Sequence, residues 1–159
     1  MARKCRLLYP EDDAAQRVAE MVGKMKPRRR RAVNPQKVRA ELEEMLLARD
    51  FASLRPLHFV SLWARCHESA YGAAPVELAG DVWLAAASAA AKLQRDEFGD
   101  DPAAMVEFLR WVWSREKFRE KKARHDGDDR VSRIGWRLLF AQRYLLTDYR
   151  IHLSRRAAP

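Results

Sequence analysis

This sequence is poor in the residues that bend, cross-link or break a chain. Its 159 residues hold two cysteines, six glycines and seven prolines. Cys5 and Cys66 make no disulfide framework, so reduced thiols in a cytoplasmic protein are the expectation. Gly23, Gly72, Gly80, Gly99, Gly127 and Gly135 are isolated from one another, so no Gly-rich loop exists to wrap backbone N–H groups around a phosphate. Long apolar runs are missing too. The longest weakly polar stretch, Val82 to Ala91, is ten residues long and contains Ser88. That is well short of the ~20 residues that span a bilayer, so no membrane partner is expected. Met1 to Arg6 is charged and leads into no apolar segment, which argues against a secretory signal. Runs of β-branched residues are absent whereas alanine is plentiful, a balance that favours helix over strand.

Catalytic and metal signatures are equally sparse. His58, His67, His125 and His152, with the two cysteines, form no CxxC, HxxxH or HExxH spacing. Cys66 and His67 are adjacent, but on a helix neighbours point about 100° apart. Asp96, Glu97, Asp100 and Asp101 crowd before Pro102, as a two-metal nuclease would need. They straddle a helix end and a cap, however, where acids are common for structural reasons. The expectation is a non-enzymatic protein with no metal and no cofactor.

What the chain has is positive charge, unevenly placed. Its 31 Lys and Arg outnumber 22 Asp and Glu, for a formal net charge of +9. Residues 1–39 carry 12 cations against 4 acids, residues 40–109 carry 5 against 12, and residues 110–159 carry 14 against 6. The order is thus basic, acidic, basic. Two basic segments around an acidic middle point to a polyanion-facing side built from both ends, or to self-association between unlike patches. Arginine supplies 23 of the cations, and its planar fork suits phosphate contacts and stacking on bases. A general bias towards Arg and Ala accounts for part of that preference.

Helical signals recur along the chain. Val18, Met21, Val22 and Met25 fall at helical spacing after Glu11–Asp13, and Pro27 stops that segment. Asn34-Pro35 reads as a cap followed by a first-turn proline. The helix it opens is predicted to run to about Arg49, with Val38, Leu42, Met45 and Leu46 on one face. Leu57 to Ser69 returns to the same period, with Phe59, Leu62, Trp63 and Cys66 together, and Tyr71-Gly72 ends it. Val82 to Phe98 is Ala-rich and predicted to be the central helix, closed by Gly99. Asp101-Pro102 repeats the cap-plus-proline start. The helix that follows has Met105, Phe108, Leu109 and Val112 inward and continues through Trp111, Trp113 and Phe118 to a loop at His125–Asp129. Val131 to about Leu153 reads as one last helix, with Ile134, Leu138, Ala141 and Leu145 aligned and Trp136, Phe140 and Tyr144 beside them. No strand, βαβ pattern or internal repeat is visible. The predicted architecture is all-α: a compact bundle of about five to six helices over residues 34–159, preceded by a basic arm or helix over residues 1–33.

Two segments carry the functional reading. Arg110 to Arg124 holds seven cations and three aromatics in fifteen residues. On a helix Arg115, Arg119 and Lys122 share a stripe, with Lys121 and Arg124 adjoining and Lys117 as a further cation of the segment, so it suits a phosphate backbone or a major groove. The bland alternative is a helix whose second half is merely solvated, with Glu116–Lys117 and Glu120–Arg124 as ordinary salt pairs. The second segment has Lys24, Lys26, Arg28, Arg29, Arg30 and Arg31 before Lys37, the pattern of a basic arm that neutralises phosphates. Arg133 and Arg137, four apart on the predicted last helix, add to the same surface. Asp148 is expected to form a structural ion pair with a nearby arginine. The resulting expectation is a nucleic-acid-binding protein, DNA in preference to RNA, of the regulatory or accessory kind found in phages and mobile elements. The alternatives are a helical protein–protein interaction subunit that uses the acidic 40–109 region for a partner or a second copy, and a small hydrolase or nuclease using Asp100, Asp101 or Glu107.

Overall fold

Local capping marks several of the helix ends. The structure, a computed structural model, describes residues 32–76, 78, 81–126 and 133–157, which all belong to one compact unit, Ala32–Pro159. Helix α1 spans Pro35–Ala48. The Asn34 side chain accepts from the backbone N–H of Gln36 (3.1 Å) and Lys37 (3.2 Å), satisfying donors that a helix start leaves open. Helix α2 spans Pro56–Tyr71 and ends at Gly72, whose φ of 74° is the left-handed conformation that a β-carbon disfavours. Helix α3 spans Val82–Phe98 and ends at Gly99 with φ 59°. Helix α4, Pro102–Asp126, starts where Asp101 Oδ1 accepts from the Ala103 N–H at 2.8 Å. Among the described residues there is no strand, and no helix is long and apolar enough to cross a membrane.

The expected stripes are the buried ones. Val38 and Leu42 of α1, Phe59 and Trp63 of α2, and Met105, Phe108, Leu109 and Val112 of α4 are all in the core. The central place expected for α3 alone is shared with α2. Nine of the side chains of α2 are buried against six of α3. Helix α2 packs on α1, α3 and α4, whereas α3 packs on α2, α4 and the segment after α4. Ala86, Ala87 and Ala90 form the close-approach face of α3, and Ala85 is exposed.

The C-terminal region departs from the single helix expected over 131–153. Arg133–Gly135 is not helical, Trp136 leads into a π-helical turn over Arg137–Ala141, and α5 begins only at Leu146 and runs to Ala157. The break falls at Arg143, whose φ is 54°. Its guanidinium bonds Glu97 and, at 2.7 Å, Asp96, both at the C-terminal end of α3. Arg150 of α5 also bonds Glu97. Three ionic contacts to one helix end thus hold a left-handed residue that would otherwise cost about 1 kcal/mol. Arg133 and Arg137 therefore do not share a helix face.

Histidines expected to be weak metal candidates are structural. The Arg55 N–H donates to His58 Nδ1 (3.0 Å), so the Nε2–H of the neutral ring is the donor to Glu41 (3.3 Å). His67 Nδ1–H donates to the Ala73 carbonyl at 3.0 Å. Burial pushes the Cys66 thiol up, away from the reactive thiolate.

Candidate nucleic-acid interface

Helix α4 changes character halfway. Its first turns bury a side chain on almost every inward position, and the last buried one is Glu116, 5% exposed. Beyond it the inward positions Glu120 and Ala123 are only half-buried, and Lys117, Lys121 and Lys122 are exposed. Glu116 is buried with one carboxylate oxygen doubly engaged. Its Oε2 accepts from the Tyr71 hydroxyl (2.7 Å) and from Arg119 Nη2 (2.7 Å). The Tyr71 oxygen in turn accepts from the Ile134 N–H at 3.1 Å, and Trp63 Nε1 donates to the Ile134 carbonyl at 3.0 Å. This network joins α2, α4 and the non-helical entry to the π-helical turn. Burial first, and the Glu116 carboxylate after it, push the Tyr71 phenol up to about 12.

The predicted cations do not share one fate. Arg115 and Arg119 are engaged within the chain. Arg115 Nη1 bonds Asp148 at 3.0 Å, the ion pair expected for Asp148, and its guanidinium lies 4.8 Å from the Trp111 ring centre. Arg119 is held by Glu116, so Glu116 pairs one turn along with Arg119 and not with its neighbour Lys117. Arg133 and Arg137 stack on rings instead, 5.5 Å from Tyr71 and 5.3 Å from Trp136. Lys117, Lys121 and Lys122 have no carboxylate of the described residues within ion-pair distance. Arg124 lies near the end of α4. Lys37 stands at the start of α1, 3.9 Å from Glu41, and lines neither groove beside α4. Lys24, Lys26, Arg28, Arg29, Arg30 and Arg31 lie outside the described residues.

Two of the grooves beside α4 take in its exposed second half. One, about 760 Å³, runs between α1, α2 and α4 and is lined by Leu46, Leu47, Cys66, Arg110 and Lys117 among others. The other, about 500 Å³, lies between α4 and residues 134–148 and is lined by Arg115, Phe118, Arg119, Lys122, Tyr144 and Asp148 among others. Phe118 and Tyr144 are 72% and 61% exposed. The sequence reading placed both aromatics along helices without seeing that they face water. A signal existed for Phe118: its neighbours one helical turn away, Ser114, Arg115, Lys121 and Lys122, are all polar. None existed for Tyr144, whose exposure follows from the break at Arg143.

Part of the acidic middle is spent on the chain's own arginines. Glu41 takes Arg55 (2.8 Å), Glu43 takes Arg39 (3.6 Å) and Arg65 (3.8 Å), and Asp96 and Glu97 take Arg143 and Arg150. The carboxylates of Asp96, Glu97 and Asp101 are thereby committed to ion pairs and a cap. Among the described residues no three His, Cys, Asp or Glu gather as a metal site.

No protein-family model, curated protein or solved structure matches this chain.

Proposed function

We propose that this chain binds nucleic acid, as an accessory or regulatory protein that acts by binding and not by catalysis, and that its grip is the C-terminal half of α4. One observation carries the reading: Lys117, Lys121 and Lys122 stand exposed, with no carboxylate of the described residues in ion-pair range, on the turns that follow the buried Glu116. Lysines placed along a helix in this way neutralise successive phosphates and release their counterions. Arg115 and Arg119 contribute less net charge, because each already faces a carboxylate. The non-catalytic part of the reading is supported by Asp96 and Glu97, which are engaged by arginine, and by Asp101, which caps a helix.

The test is binding of labelled duplex DNA, single-stranded DNA and RNA across a salt series. The wild-type chain should bind with an affinity that falls steeply with salt. Reversing Lys117, Lys121 and Lys122 to Glu together should lower the magnitude of the log–log slope by about 2–3, at ~0.7–0.9 per phosphate contact. Binding with an unchanged slope would remove α4 from the interface, and no binding at low salt would end the proposal.

A further inference from the structure

We propose, building on the nucleic-acid reading above, that the groove between α4 and residues 134–148 stacks unpaired bases on Phe118 and Tyr144, so that the preferred ligand is single-stranded. Phe118 and Tyr144 are the only aromatic side chains among the described residues that are largely exposed, and both line this one groove. Every other described Phe, Tyr and Trp is buried or half-buried. Leaving a large ring in water forgoes the stabilisation of burial, so two such rings in one groove mark a binding surface. Tyr144 is also held there by structure: it follows the left-handed Arg143, which Asp96 and Glu97 clamp, at the exit of a π-helical turn. Irregular turns of this kind concentrate at functional sites.

The charge of the groove selects what enters it. Arg115 and Arg119 are balanced by Asp148 and Glu116, which leaves Lys122 as the unbalanced cation of the lining. A near-neutral, aromatic-lined floor takes a base rather than a phosphate. The phosphates then follow the cationic rim formed by Lys122 and by Lys121 on the adjoining helix position. Stacking platforms beside a basic track are the general mode of single-strand binding, and they tolerate any sequence because every base has a π-face. The groove, about 500 Å³, is of the size that holds a small aromatic ligand group.

The experiment measures anisotropy of labelled oligothymidine, oligouridine and a DNA duplex with the full chain and with Phe118→Ala, Tyr144→Ala, Phe118→Tyr and Tyr144→Phe. Both aromatics are exposed, so melting of the variants should match the wild type. Each alanine variant should weaken at least one single-strand arm by roughly five- to 150-fold while leaving duplex affinity and the salt slope unchanged. The ring-for-ring variants should bind as the wild type does, and the two oligonucleotide arms compare a DNA strand with an RNA strand. Alanine variants that bind single strands as tightly as wild type overturn the stacking proposal, as does an equal loss on duplex. The lysine reversal then still reads the phosphate grip separately. A wild-type chain that binds none of the three probes at low salt overturns both.

Discussion

Replacing Tyr71 by Phe removes one oxygen atom and tests whether the buried network under α4 stabilises the fold. Tyr71 is 6% exposed, and its hydroxyl both donates to Glu116 at 2.7 Å and accepts from the Ile134 N–H at 3.1 Å. Phenylalanine fits the same space, so no cavity of consequence opens. The Ile134 N–H is left buried without a partner, which costs about 1–3 kcal/mol. Glu116 loses a charge-assisted bond while keeping Arg119, a further loss of about 1–2 kcal/mol. Part of this is returned because the phenol no longer has to be desolvated, so a net loss of about 2–4 kcal/mol is expected. For a domain of this size that lowers the melting temperature by about 3–5 °C per kcal/mol. Urea unfolding followed by circular dichroism should show a lower midpoint with an unchanged m-value. A pH series adds a second reading. Burial raises the Tyr71 phenol in the folded chain to about 12, above the ~10 of an unfolded tyrosine. Its contribution is therefore complete below pH ~10 and is lost as pH rises through ~10–12. Burial also raises Tyr149, so the wild type should lose stability over that alkaline window and the Tyr71→Phe protein should lose less. A loss under about 0.5 kcal/mol at neutral pH, or an identical alkaline decline, would refute the reasoning and assign Ile134 and Glu116 to other partners.

Two further substitutions probe the ends of helices. Arg143→Ala should destabilise the chain above pH ~4, and the difference from wild type should shrink as the pH falls. The Arg143 guanidinium holds the Asp96 carboxyl below its usual range, so that stabilisation is present above the unfolded carboxylate value and disappears on acidification; acid titrations of both proteins by tryptophan fluorescence would show it. Gly72→Ala should cost about 1 kcal/mol in chemical denaturation although a β-carbon there meets nothing within 4 Å, because only the φ of 74° is at issue. A neutral result would mean that the end of α2 rearranges around alanine.

Helix boundaries were readable wherever a few neighbouring residues decide them. Asn34-Pro35, Gly72, Gly99 and Asp101-Pro102 each sit where the chain starts or stops a helix. The inward stripes of α1 and α4 followed from spacing, because 3.6-residue periodicity and burial are the same fact seen twice. The last helix was misread for a physical reason. Residues 136–153 contain no Gly or Pro, and their apolar spacing runs through the break. The interruption at Arg143 is made by Asp96 and Glu97, more than forty residues earlier. The cationic stripe Arg115–Arg119–Lys122 was placed correctly on one helix, yet sequence spacing could not tell which cations were already paired. Asp148 is 33 residues from Arg115, and only folding brings it to 3.0 Å.

By itself, then, the sequence determined the helical class, most helix ends and the cationic half of α4, since backbone propensity, capping and periodicity act over about one or two turns. The tertiary structure decided which charges remain available and which rings face water. Coulomb pairing and burial depend on through-space distance, and that distance exists only once α3, α4 and the broken C-terminal segment have packed together.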